Sequence, residues 1–164
     1  PIYFKKFGSQ IWDHSEECAV ICRHLSGSYD PGLCYLLGLL HDVGKVVMYK
    51  CLVEALQRAD PSSSPGGKLF KDMMVRYSLW LSWRIAESWN MPESVIQALE
   101  QQRHDSQQGL GQVLSQSNFL SELYMLSKTA HIDVEDTVAA FGLNGVAPEV
   151  GQKVFELLEA HNQG

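Results

Sequence analysis

The sequence predicts an all-α fold, a compact single-domain helical bundle of about seven helices covering residues 1–164. Three observations carry this expectation. Apolar residues recur at helical spacing nearly everywhere. No stretch alternates polar and apolar with period two over a useful length. Proline, glycine and asparagine cluster where helices would have to stop.

Ser9 is a candidate N-cap for the first helix, whose apolar face carries Ile11, His14, Cys18, Ile21, Cys22 and Leu25. Gly27 and Ser28 end it. Asp30 caps a second helix with Pro31 at its first position, running to Leu40. That segment is apolar almost all round, so it should be the central helix. Gly44 relaxes the backbone just after His41 and Asp42, and helix resumes from about Lys45 to Arg58. DPSSSPGGK, residues 60–68, is the clearest loop. A long aromatic helix follows, about Leu69 to Trp89, stopped by Asn90-Met91-Pro92. Helices of about Pro92–Arg103 and Leu110–Thr129 flank the polar HDSQQG loop. Two short helices, about Val134–Phe141 and Pro148–His161, finish the chain.

Composition narrows the function classes. With 164 residues, 45% of them apolar and 10% aromatic, the chain can bury a core and is not disordered. A net charge of −6 argues against nucleic acid, which demands a basic face. No apolar run reaches the roughly 18 residues that span a bilayer, so no membrane partner is expected. Pro1 to Phe7 lacks the apolar core of a signal peptide. The chain opens on Pro1 without an initiator Met and reads as a piece of a longer protein. Cys18, Cys22, Cys34 and Cys51 form no CxxC and read as reduced core thiols. A Cys–His metal site from His14, Cys18 and Cys22 is the alternative, without a second cysteine pair at zinc spacing to support it. Trp80 and Trp83 are expected in the core; an exposed tryptophan here would mark a contact surface. There is no GxGxxG, P-loop, GxSxG or HExxH.

The stretch LLGLLHDVGKVV, residues 36–47, raises the chemical question. His41 and Asp42 lie side by side in an apolar run, and burying both is costly unless each finds a partner. Adjacent His and Asp can ligate a divalent ion where their helix bends, and such an ion would activate water for phosphoester hydrolysis. Two ligands do not suffice. Lys45 would reach a phosphate near the pair, or stay with solvent or a local acid.

GLLHDVGK (residues 38–45) is similar to the GLLHDIGK signature of the HD superfamily of metal-dependent phosphohydrolases. WDHS, with His14, matches the W-x-H-S that supplies that superfamily's first histidine. ESWNMPESVIQAL (87–99), VLSQSNFLSEL (113–123) and AAFGLNGVAPEV (139–150) resemble, in order, later segments of the HDOD domain, the HD-related output domain of bacterial signalling proteins. The resemblance covers about residues 9–160. It implies an HD-domain-like helical fold, and it exposes departures. Ser78 stands where metal-binding relatives have a histidine, and Ser82 where they have glycine. Gln101 and Gln102 replace paired histidines, and Asn118 corresponds to the terminal aspartate. His104 and Asp105 lie two residues late, and Glu122 is one turn past Asn118.

Only His14, His41 and Asp42 remain as metal ligands, should a metal be bound. A binuclear site is excluded without the missing histidines. The expected arrangement is therefore a vestigial site or buried hydrogen-bond network of His14, His41, Asp42 and Asn118, with Ser78, Gln101 and Gln102 around it. No cofactor is expected, iron, manganese, zinc or nickel being the ions the ligands would suit. The resemblance implies a bacterial, cytoplasmic regulatory output domain, not an enzyme, that binds a protein partner, a neighbouring signalling domain or a small ligand. Whole HDOD domains carry further helices before W-x-H-S, expected to be absent here. The rival is a metal-dependent phosphohydrolase or phosphodiesterase using His14, His41 and Asp42.

Overall fold

A computed structural model describes residues 2–62, 65–104 and 107–164, with side chains from residue 6 onward. The described residues form eight α-helices and one 3-10 turn, and no strand: α1 Ile2–His24, α2 Pro31–Leu40, α3 Val43–Ala59, α4 Lys68–Ser88, α5 Glu93–Gln101, α6 Leu110–Ala130, α7 Val134–Phe141 and α8 Pro148–Gln163. Only His41 and Asp42 separate α2 from α3. Counted as one bent helix, the pair brings the number to seven.

The local signals explain most of these limits. Asp30 caps α2 through its carboxylate, which accepts the Leu33 amide at 2.7 Å, with Pro31 at the first position. Asn90 takes a left-handed conformation, φ 51°, and ends the α4 turn before Pro92. Asp133 caps α7 in the same manner as Asp30. The Ser9 cap does not exist. α1 starts at Ile2 and runs through Ser9, because Phe7 stacks on Tyr49 at 4.0 Å and extends the apolar stripe one turn further back than Ile11.

The central helix is α6, not α2. Of α2, only Cys34, Leu37 and Gly38 are fully buried. The inward face of α6 carries Leu114, Ser117, Leu120, Ser121, Tyr124 and Ser127. Three serines on that face mask it in a hydropathy reading, yet their small side chains let α1 pack close. Two apolar clusters flank this axis. One gathers Cys22, Cys34, Leu37, Val95, Leu99 and Leu114; the other gathers Ile21, Leu120, Phe141, Val154, Phe155 and Leu158. The amphipathic α8 thus packs on the domain itself. A third, smaller cluster of Tyr49, Val53 and Phe70 joins α3 to α4. Cys18, Cys22 and Cys34 are free buried thiols, whereas Cys51 is exposed and lies outside any core. Trp83 packs against the first cluster, but Trp80 is 42% exposed, against the expectation of burial.

Candidate functional site

Two close approaches assemble the polar site. A Cβ on Gly38 would lie 2.5 Å from the Ala19 backbone and 2.7 Å from the Cys18 carbonyl oxygen, so only glycine lets α2 sit this deep on α1. That contact brings the end of α2 against the inward stripe of α1. Gly44 plays the same part between α3 and α4, where its Cβ would meet the Ser78 carbonyl oxygen at 2.1 Å. Its role is close packing rather than relaxation of the backbone. Between these contacts the chain breaks at His41-Asp42, with Asp42 near the bridge region at φ −105°, ψ 9°.

At the break, His14 from α1, His41 and Asp42 from the α2–α3 junction and Asn118 from α6 converge, with the two histidines and Asp42 buried. Asn118 Oδ1 faces His14 Nε2 at 2.9 Å and His41 Nε2 at 3.2 Å. Asp42 Oδ2 lies 3.7 Å from His14 Nε2 and 3.5 Å from His41 Nε2. The rings meet edge to face, 5.3 Å between centroids. Each outer nitrogen is anchored: His41 Nδ1 donates to the Gly38 carbonyl at 2.6 Å, and His14 Nδ1 pairs with Ser121 Oγ at 2.9 Å. Ser121 in turn donates to Glu17 at 2.7 Å, and Asn162 from α8 donates to the other oxygen of Glu17 at 2.9 Å.

Electrostatics follow from burial and neighbours. Burial lowers the His14 pKa, and the nearby His41 lowers it further, so this ring is uncharged at neutral pH. Burial alone would raise Asp42, but His41 and Lys45 outweigh it and hold the carboxyl below its ordinary range. The Lys45 ammonium donates to Asp42 Oδ2 at 2.7 Å, so this lysine pairs with a local acid. Burial raises Glu17, partly offset by Ser121 and Asn162.

The other predicted residues divide by what they reach. Glu122 reaches back to the site and accepts the Asn118 Nδ2 proton at 3.1 Å. Ser78 and Ser82 are buried on α4 beside Gly44, with Ser82 Oγ accepting the Gly44 amide at 2.9 Å. Gln102 lines the small cavity beside His41, Asp42 and Asn118, and both glutamines bond toward the α5–α6 loop. Gln101 Oε1 accepts the Gln108 amide, and Gln102 Nε2 donates to the Ala98 and Gly111 carbonyls. Both hold the α5–α6 loop against the start of α6, because the end of α5 points them along that loop. His104 is exposed in it, and Asp105 lies outside the described residues. The sequence reading missed Glu17, Ser121 and Asn162. Glu17 was discoverable, since it falls on the inward stripe of α1 next to His14, where an unpaired carboxylate would be costly.

The junction also floors a cavity of about 730 Å³. His14, Asp42 and Ser78 lie at its base, and Phe7, Ile11, Tyr49, Phe70, Met74 and Met125 form apolar walls. Lys6 and Lys71 stand at its rim. A smaller cavity of about 240 Å³ opens on the other side of His41 and Asp42, bounded by Ser82, Gln102 and Asn118.

The donor set fits one ion and not two. Two imidazole Nε2 atoms, one carboxylate oxygen and one amide oxygen face a common centre, separated by 2.9–3.7 Å where they pair. A single ion held by His14, His41 and Asp42 would supply Lewis acidity and acidify a bound water. A second ion would find no bridging acid, because Asn118 contributes a neutral oxygen and Asp42 already carries Lys45. Comparison with known proteins gives a family but no near relative: no curated protein and no solved structure matches the chain. The HDOD domain family matches residues 6–105, well over half the sequence, over the helices that bring His14, His41 and Asp42 together. The chain belongs to the HDOD domain family, and through it to the HD superfamily.

Proposed function

We propose that this HDOD domain is a regulatory output module of a bacterial cytoplasmic signalling protein, acting by binding and without catalysis. The charge inventory at the junction carries the reading. Its one central carboxylate, Asp42, already neutralises Lys45 at 2.7 Å. Hydrolysis by paired ions needs more carboxylate or imidazole than this, and Asn118, Ser78, Gln101 and Gln102 occupy the positions that would supply it. The His-Asp pair instead ties α1, the α2–α3 junction and α6 together. The large cavity beside it provides the binding surface. An occupant would touch His14 and Asp42 and lie against α3 and α4 at once, so it would bias how those helices pack. The net charge of −6 favours a protein segment or small ligand over nucleic acid.

The test is turnover. The protein is incubated with bis(p-nitrophenyl) phosphate and with cyclic dinucleotides, in the presence of manganese, iron, nickel, zinc or magnesium in turn. No hydrolysis above the metal-only control is expected. Metal-stimulated hydrolysis that disappears in His41→Ala overturns the reading.

A further inference from the structure

The junction gathers more acceptor atoms than donors. The Gly38 carbonyl can only accept, so His41 carries its ring proton on Nδ1. Ser121 gives its hydroxyl proton to Glu17, so it accepts from His14 Nδ1. Each ring, when uncharged, therefore aims an Nε2 lone pair at the centre. Asn118 presents Oδ1 to both lone pairs, and its amide nitrogen is held outward on Glu122. Turning the amide over would supply two protons but set Oδ1 against the Glu122 carboxylate. Asp42 Oδ2 adds one more acceptor. With both rings uncharged, acceptor atoms of four side chains face a common centre, an arrangement that a cation satisfies.

Cys18 decides which cation. It lies one turn below His14 on the same face of α1, fully buried, with Sγ 3.6 Å from His14 Nε2 and 4.0 Å from Nδ1. The ligand atoms of His14, Cys18 and His41 all lie within 4.8 Å of one another. The outer bonds to Gly38 and to Ser121–Glu17 fix both rings, as outer partners of metal-bound histidines do. Cys22, the other thiol considered from the sequence, points into the cluster around Leu37 instead.

We propose that His14, Cys18 and His41 bind one zinc ion through a thiolate and two imidazole Nε2 atoms, with the oxygens of Asn118 and Asp42 beside the two rings. The ligand set that the family resemblance implies holds no cysteine, so the thiolate is a feature of this chain. It also departs from the expectation of a cofactor-free site. On binding, the Cys18 S–H bond breaks, its proton leaves to solvent, and a Zn–S bond forms. A soft thiolate with two imidazoles selects zinc over magnesium, calcium or manganese.

Two measurements test this. Chelator-treated protein is titrated with Co²⁺ and then Zn²⁺, with Cys51→Ser as background because Cys51 is the exposed thiol. The expected result is one equivalent of Co²⁺, a near-ultraviolet thiolate-to-cobalt band, and displacement by Zn²⁺. The band should vanish in Cys18→Ser, with circular dichroism checking that this variant folds. X-ray absorption at the zinc edge of the otherwise unaltered, zinc-loaded protein needs no ligand variant, and should show one sulfur scatterer at about 2.3 Å. Absence of stoichiometric binding, a shell of nitrogen and oxygen only, or a band that survives in a folded Cys18→Ser overturns the proposal.

Discussion

Gly44→Ala puts the packing argument under the sharpest strain. The added methyl would lie 2.1 Å from the Ser78 carbonyl oxygen and 2.5 Å from the Ser82 amide nitrogen, both backbone atoms of α4. Ordinary contacts of a Cβ begin near 3.4 Å, so α3 and α4 must separate by about 1 Å. Overpacking of this kind costs about 1–3 kcal/mol. The separation also breaks the buried Gly44 amide bond to Ser82 Oγ, worth about 1–3 kcal/mol when an orphan is left behind. The alanine returns about 1 kcal/mol through helix propensity. The net is a loss of about 3 kcal/mol, or a fall in Tm of about 6–12 °C for a chain this size. Urea denaturation reads the first quantity and calorimetry the second. Gly142→Ala is the control, with φ −60° and nothing within 4 Å, and should change stability by less than about 1 kcal/mol. A Gly44→Ala variant within about 0.5 kcal/mol of the parent would refute the claim that backbone contact at Gly44 sets the α3–α4 spacing.

Two further expectations concern the polar site. Asp42→Ala should destabilise the domain by about 2–4 kcal/mol, below the full cost of breaking a buried pair because Lys45 is about a third exposed. An unchanged urea midpoint would remove Asp42 from the structural network. Glu17 gives the second, through linkage. Its folded-state pKa is raised above 4.5, so the folded protein binds the proton more readily than the unfolded chain. The Glu17 contribution to stability is therefore fully present below pH 4.5 and is lost as pH rises through the raised value. Glu17→Gln should flatten that slope in melts across the window, and an identical slope in the variant would show that the carboxyl is not the group titrating.

How far the sequence carried depended on whether the signal was local. Asp30-Pro31 and Asn90-Met91-Pro92 set their helix ends through short-range chemistry, and the structure has those ends. His14 was legible from the inward stripe of α1 and His41-Asp42 as a polar pair in an apolar run, whereas Asn118, half-buried beside the inward face of α6, was reached only through the family resemblance. Ser9 misled, since a cap signal yields when apolar residues before it continue the stripe, as Phe7 does. Gln101 and Gln102 were placed beside the pair by correspondence of position, and of the two Gln102 borders the small cavity there while Gln101 turns to the Gln108 amide. Their orientation depends on how α5 ends, which periodicity does not encode. The importance of α6 was hidden for a related reason: Ser117 and Ser121 count as polar in any hydropathy reading, yet both are fully buried. Trp80 and Trp83 are three apart on one helix, but only the second meets a facing cluster, and that depends on where α5 lies.

The break at His41-Asp42 has a structural function separable from any ion. With α2 ending at Leu40, the Gly38 carbonyl would be left without a helical partner, and His41 Nδ1 supplies one at 2.6 Å. The opening turn of α3 is likewise held from Asp42, whose carbonyl accepts the Lys45 amide at 2.9 Å. His41 thus closes one helix with one nitrogen and addresses the junction with the other. The two roles can be divided by substitution. Asn in place of His41 puts an amide N–H near the position of Nδ1 but no donor atom near Nε2. His41→Asn should therefore keep most of the stability, losing about 1 kcal/mol of packing, while abolishing cobalt binding. His41→Ala should lose both, with an added cost of about 1–3 kcal/mol for the orphaned Gly38 carbonyl. Equal destabilisation in the two variants would mean that the bond to Gly38 does not hold the bend, and that the ring acts only through its inner nitrogen.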